Sequence, residues 1–280
     1  MIELGINQTL KIRRTATPGI YLADEEGNEV LLPNRYITPV MKIGQSLNVF
    51  VYSDSEDRPV ATTQVPLIFR NEFAYLKVKD VNAVGAFLDW GLEKDLLVPF
   101  RQQNQRMVPG QWYLVYLYLD VTTQRLAATT RVNSIFDKDS SPLEAGQEVD
   151  LLIAGSTEKG TKVVINNRYQ GLIYSGDLFH DLLPGDRTKG FIRLIRPDKK
   201  IDVSLRKQGL ENLEEGAQHI LDELRHNGGF LPLTDSSSPE DIRLQLQMSK
   251  KNFKRSVGIL YKQKWIALKP DGIRLNPKKK

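Results

Sequence analysis

The stretch VGAFLDWGLEKDLLVPF, residues 84–100, opens on a glycine turn, places a phenylalanine two positions later, and recovers an apolar run after a charged loop. Alternation of this kind between turn residues reads as two short, half-buried strands. Slid along the chain, the stretch fits twice more. Gly85, Pro99 and Gly110 are separated by 14 and 11 positions, and Gly19, Pro33, Gly44 and Gly160, Tyr174, Gly185 keep the same spacings. Backward, Leu76 and Val78 fall on Leu10 and Ile12 and on Leu151 and Ile153; forward, Leu126 and Thr129 fall on Val60 and Thr63 and on Ile201 and Ser204. Three segments, 10–63, 76–129 and 151–204, therefore repeat one pattern in a gapless register.

Within each copy the strands are short and separated by Gly, Asn, Asp and Pro turns, which argues for small antiparallel barrels or sandwiches. Closure would remove the exposed edges that flat sheets of this size present. The joins fall near 64–70 and 132–145, where NSIFDKDSSPLEAGQ reads as a polar, turn-rich linker.

After Arg206 the pattern turns helical. LENLEEGAQHILDELRHNGG carries Leu210, Leu213, Ala217, Ile220, Leu221 and Leu224 at helical spacing and is closed by Gly228 and Gly229. SSSPEDIRLQLQ offers Ser238 as N-cap, Pro239 at the first helical position and Asp241 in a capping-box-like place. A third helix starts at Ser249, with an apolar stripe of Phe253, Val257, Leu260 and Tyr261, and WIALKPDGIRL reads as two strands around a Pro-Asp-Gly turn. Three helices and a hairpin make a winged helix.

The chain has 280 residues, a formal net charge of +5 and no cysteine. That length favours several domains. The absence of cysteine excludes disulfides, thiolate zinc sites and cysteine nucleophiles, and leaves His180, His219 and His226 as the imidazoles. No run of about 18 apolar residues occurs and MIELGINQTLKIRRTA lacks a signal-peptide apolar segment, so a cytoplasmic protein with no membrane partner is expected. The positive excess is C-terminal: residues 243–280 carry twelve Lys or Arg against Asp271 alone, while residues 1–209 carry 26 basic and 25 acidic side chains.

FAYLKVKDVNAVGAFLDWGLEKDLLVPF, PGQWYLVYLYLDVTTQRLAATTR and the closing IRPDKKIDVSLR resemble the S-one domain, an OB-fold module named after the largest protein of the bacterial small ribosomal subunit. The resemblance implies five-stranded barrels that bind single-stranded RNA on one face. The whole chain, including NGGFLPLTDSSSPEDIRLQLQMSKKNFKRSVGILYKQKWI, resembles the conserved virulence factor B family of bacterial RNA-binding regulators. The expected architecture is mainly β with a C-terminal α+β domain: three tandem OB-fold barrels at 1–65, 66–138 and 144–208, a winged helix at 209–276 and a basic tail at 277–280.

In the S-one pattern the aromatic two places after the turn glycine faces RNA, which selects Phe87 and Tyr21; the third copy has Lys162 there. Where the family often has histidine, these copies have Pro33, Pro99 and Tyr174, and Tyr174 offers a stacking surface. Basic candidates beside these strands are Lys77, Lys79, Arg101 and Arg125 in the second copy and Lys189, Arg193 and Arg206 in the third. Period two puts Lys77 with Lys79 on one face, and Lys189, Phe191 and Arg193 on another. The aromatic run WYLVYLYL reads as core plus barrel exterior. In the winged helix Lys250, Lys251, Lys254 and Arg255 recur opposite Phe253 and Val257, with Arg243, Lys262 and Lys264 extending the patch toward phosphates of RNA or DNA.

No catalytic role is expected. The carboxylates of DEEGNE and DSED lie in turn-like loops with no histidine partner, and neither GxxxxGK[ST] nor HExxH occurs. No cofactor or metal is implied. The expected partner is single-stranded RNA, in a regulator of gene expression. Two alternatives stay open: a winged-helix transcription regulator that reads duplex DNA, and an OB-fold scaffold for proteins.

Overall fold

A computed structural model describes residues 1–175, 182–205 and 215–276. Arg206, His180, the Leu210 and Leu213 start of the helical stretch and the basic tail 277–280 lie outside the described residues. The chain divides into two compact units, residues 1–205 and 206–280.

In the first unit β1 (Asn7–Ala16), β2 (Gly19–Ala23), β3 (Glu29–Pro33), β4 (Ser46–Ser53) and β5 (Pro59–Thr62) form a closed barrel in the order β1-β2-β3-β5-β4. The third copy repeats it with β11 (Glu148–Thr157), β12 (Gly160–Ile165), β13 (Tyr169–Tyr174), β14 (Arg187–Ile195) and β15 (Ile201–Ser204). The middle copy comprises β6 (Phe73–Val81), β7 (Gly85–Asp89), β8 (Leu96–Pro99), β9 (Trp112–Asp120) and β10 (Arg125–Thr129), ordered β10-β9-β6-β7-β8. No ladder joins β8 to β10. Instead the turn after β8 is tied to the end of β10, where Gln102 O accepts from Thr129 Oγ1 at 3.0 Å and from Thr130 N at 3.0 Å.

The glycine that defines the repeat has a steric cause. Gly19, Gly85 and Gly160 pair with Pro33, Pro99 and Tyr174 across the second hairpin, and a Cβ on any of them would strike the carbonyl oxygen of Leu32, Val98 or Ile173. Only glycine lets the strands close there. The first strand of each copy also carries a bulge at matching positions, between Ile12 and Arg14, Val78 and Asp80, and Ile153 and Gly155.

Each barrel owns a core, built on Leu10, Leu22, Leu32 and Val51 in the first, Leu76, Leu88, Val98 and Leu117 in the second, and Ile153, Val163, Ile173 and Ile192 in the third. Neighbouring barrels share apolar seams. Phe50 meets Trp90 edge-on at 5.8 Å between copies one and two, where burial and then Tyr36 push the Tyr52 hydroxyl up to about 12. The join at 132–145, polar in the sequence, is anchored by Phe136, 8% exposed and stacked on Phe73 at 4.8 Å. Asn166 and Asn167 both take left-handed backbone, with φ of 47° and 53°, a conformation asparagine tolerates. This turn lets Asn167 Oδ1 accept from Phe73 N at 2.7 Å while its Nδ2 donates to Asn71 O at 3.0 Å.

The second unit holds α1 (Glu215–His226), β16 (Phe230–Leu231), α2 (Pro239–Leu246), α3 (Lys250–Lys262), β17 (Ile266–Lys269) and β18 (Gly272–Leu275). The strand at Phe230–Leu231 adds to the expected hairpin and makes a three-stranded sheet, β16-β18-β17. Ser238 Oγ accepts from Asp241 N at 3.0 Å and Ser249 Oγ from Asn252 N at 3.2 Å, so both expected N-caps form. Leu221, Leu224, Ile242, Phe253, Leu260 and Ile273 fill the core. Tyr261 leaves the stripe assigned to it and is exposed, because α3 turns its ring away from the core at that position. No described helix is long and apolar enough to cross a membrane.

Candidate nucleic-acid interface

The outer face of the second hairpin is the same place in all three copies, and each dresses it differently. In the first, Tyr21 is half-buried and the Arg14 guanidinium lies 3.7 Å over its ring. Arg14 is held there by Glu29, with Nη2 to Oε2 at 2.6 Å, and that hydrogen bond raises the guanidinium pKa. One face of Tyr21 is therefore covered, and a base would meet Arg14 instead.

In the second copy Phe87, Arg101 and Arg125, three of the sequence candidates, line one cleft of 440 Å³ with Leu97, Pro99 and, from the first barrel, Tyr52 and Asp57. Its cations are matched by acids. Arg101 pairs with Asp120 at 3.2 Å, Arg125 with Asp57, and Lys94 with Asp57 at 3.4 Å. The backbone N–H groups of Thr123 and then Thr122 hold the Asp120 carboxyl below the usual carboxylate range. Lys79 stands at the bulge and its Nζ reaches Asp95 at 2.7 Å; Lys77 lies between Trp112 on β9 and Asp89 on β7. Both lysines are exposed and alternate with the buried Leu76 and Val78.

The third copy places Lys162 and Tyr174 together in a second cleft of 440 Å³, with Lys159, Arg196 and Lys200 added around them and Asp202 as the acid. Arg196 sits 5.7 Å from the Tyr174 ring, hydrogen-bonds its hydroxyl, and pairs with the buried Asp202 at 2.9 Å. Lys159 and Lys162 are exposed and make no ion pair among the described residues. Lys189 and Arg193 do not join this cleft. Lys189 pairs with Asp150 at 2.6 Å in a separate groove beside Phe73, a hydrogen bond that raises its pKa. Arg193 occupies a bulge between Ile192 and Leu194, is half-buried and is already engaged; with Lys189 and Phe191 it alternates with the buried Gly190 and Ile192.

On the winged helix, α3 turns Lys251, Lys254, Arg255 and Lys262 outward, opposite the buried Phe253, Val257 and Leu260. Gly258 lies in the middle of that face with open space around it, and exposed Tyr261 borders it. Lys250 is half-buried and donates to Ser237 O at 2.8 Å, and Lys254 pairs with Asp235 at 3.2 Å. Arg243 at the end of α2 and Lys264 after α3 are exposed. Among the described residues no group of three His, Asp or Glu side chains is placed to hold a metal ion.

Comparison with known proteins matches the S1 domain to residues 4–64 and 72–131 and the CvfB-like winged helix domain to residues 218–275. A Bacillus subtilis protein named uncharacterized protein YitL is 28% identical over 92% of this chain and 89% of its own. Conserved virulence factor B of Staphylococcus epidermidis is 29% identical over 85% of this chain and 82% of its own. The chain belongs to the conserved virulence factor B family. A crystal structure of a multidomain protein with nucleic acid binding domains from Streptococcus pneumoniae aligns over 98% of each chain, at 22% identity and a TM-score of 0.44. This chain thus carries tandem S1 domains followed by a CvfB-like winged helix domain. Sequence reading missed Lys159, Arg196 and Lys200. The two hairpin-turn lysines lie outside any strand pattern, and only the β14–β15 pairing brings Arg196 onto Tyr174.

Proposed function

We propose that this member of the family is a non-catalytic single-stranded RNA-binding protein that acts in post-transcriptional control, with modules at 1–65, 66–138, 144–208 and 209–276 and a basic tail at 277–280. The observation that carries the reading is the cleft of the third barrel, where Lys159, Lys162, Arg196 and Lys200 surround Tyr174; among the described residues Arg196 pairs with Asp202 and Lys200 with Asp198 at 2.7 Å, while Lys159 and Lys162 make no ion pair. Barrels bind single strands by stacking bases on rings while cations follow the phosphates, and this cleft has both. The α3 face supplies a further cationic surface. Several modest sites on one strand add through effective concentration, so an RNA long enough to span modules binds more tightly than one that occupies a single barrel.

Fluorescence anisotropy of the full chain with single-stranded RNA, competed by duplex DNA at about 150 mM salt, tests the proposal. RNA is expected to win. The exposed lysines of α3 support a second reading, in which the winged helix grips duplex DNA, and preference for the duplex would establish it in place of the first.

A further inference from the structure

The Phe87 cleft uses β7, β8 and β10 of the middle barrel. A different part of the same sheet, the outer face of β6 and β9, carries a line of rings. It starts buried between barrels, where Phe73 packs against Tyr116 at 4.9 Å and Phe136 at 4.8 Å, and runs outward to Tyr75 and Trp112. Those last two rings are parallel within 7° with centroids 6.2 Å apart, an offset stack. Tyr75 covers one side of the indole, and Trp112 is still 51% exposed. Lys77 stands directly opposite Trp112 in the β6–β9 ladder; it is exposed and has no ion pair among the described residues. Asp89, across from Lys77 on β7, accepts from Gly91 N at 3.1 Å.

The fold does not require these rings. The positions matching Tyr75, Lys77 and Trp112 are Thr9, Lys11 and Ser46 in the first copy and Asp150, Leu152 and Arg187 in the third, and both form closed barrels with the same strand pairing. An indole half open to water in only one of three equivalent places costs solvation of apolar surface and contributes little packing.

We infer that Trp112, backed by Tyr75 and flanked by Lys77, is a second stacking platform, which takes an unpaired RNA base on the open indole face and a neighbouring phosphate on the lysine. The pre-stacked partner fixes the ring's orientation before a base arrives, and the adjacent cation matches a polyanion rather than an apolar protein surface. The inference rests on the RNA-binding reading above but uses none of the residues of the third-barrel cleft.

The chain's own fluorescence tests it. Of three tryptophans, Trp90 and Trp265 are 3% and 7% exposed, so Trp112 is the one open to a stacking base. Titration of the full chain with single-stranded RNA of about 15 nucleotides should quench its emission and shield it from acrylamide. Trp112→Ala should weaken binding about five- to tenfold, with Trp112→Phe retaining most of the affinity and Lys77→Ala costing about two- to threefold. Thermal melts of the variants should match the parent, since the side chain is half exposed. RNA binding by anisotropy with unchanged emission and unchanged affinity in Trp112→Ala would overturn the platform and leave the RNA reading intact. Emission that follows protein concentration instead of RNA would assign the face to contact between copies and overturn it equally. Absence of RNA binding altogether would overturn both.

Discussion

The outer faces of β7–β8 and β12–β13 occupy the same place in two copies of one repeat, and each bears a cleft, yet they differ in charge. Phe87, Leu97 and Pro99 in the second copy correspond to Lys162, Leu172 and Tyr174 in the third. The second cleft sets Lys94, Arg101 and Arg125 against Asp57, Asp95 and Asp120, whereas the third sets four cations against Asp202 and, on Lys200, Asp198. A barrel fixes where a strand of nucleic acid would lie. What decides whether it is attracted is the balance of charge on the loops around that place, and long-range field falls off within about 8–10 Å at physiological salt.

The largest effect should come from reversing the two cations of the third cleft that make no ion pair among the described residues. Lys159→Glu combined with Lys162→Glu is expected to lower RNA affinity by about thirtyfold or more and to make the dependence of log affinity on log salt shallower by about 1.4, as loss of two phosphate contacts to a single strand requires. Tyr174→Ala should cost about tenfold, measured in the same anisotropy assay. Phe87→Ala should cost about threefold or less, because the neutral cleft holds phosphates poorly around that ring. If the two aromatic deletions cost the same, charge is not what separates the copies. Asp120→Asn frees Arg101 and should raise affinity about two- to threefold, turning the second cleft slightly toward the third.

Acidification provides a smaller and opposite check. The Asp120 carboxyl is held down by backbone N–H groups, so its charge persists as pH falls from 7 to 5 and the second cleft stays balanced; affinity should not rise over that interval on its account. A depressed folded value means the linked stability is complete above the unfolded carboxylate value, about 3.9, and is lost as pH falls below it, which melts at pH 5 and pH 3 would register. On the winged helix, Gly258→Ala should stabilise the domain by about 0.5–1 kcal/mol, seen in chemical denaturation, since an added methyl meets nothing.

The repeat was legible because its cause is local: one glycine per copy answers one carbonyl oxygen, and that requirement survives while neighbouring residues change. Helix caps at Ser238 and Ser249 were legible for the same reason. Pairing of Phe87 with Arg101 and Arg125, and of Lys162 with Tyr174, followed from register. Charge balance did not, since Arg125 meets Asp57 across 68 positions of sequence and Arg14 covers Tyr21 only when β1 lies beside β2. The bulges at Lys79 and Arg193 leave the alternation of burial intact, which is why the sequence does not show them. Trp112 was hidden in a run whose other members are half-buried or buried, and exposure at one end of a strand depends on where the next barrel stops.

The seam at Phe136 and Asn167 determines how the copies act in concert. Had residues 132–145 been a loose tether, each face would sample its own orientation and a bound strand would have to pay for aligning them. With the ring of Phe136 seated on Phe73 and one asparagine hydrogen-bonded to both ends of the Asn71–Phe73 segment, that alignment is settled when the chain folds. The distance between the middle and third faces is then fixed, and a strand bound across both, as proposed, would benefit where its own contour matches that distance.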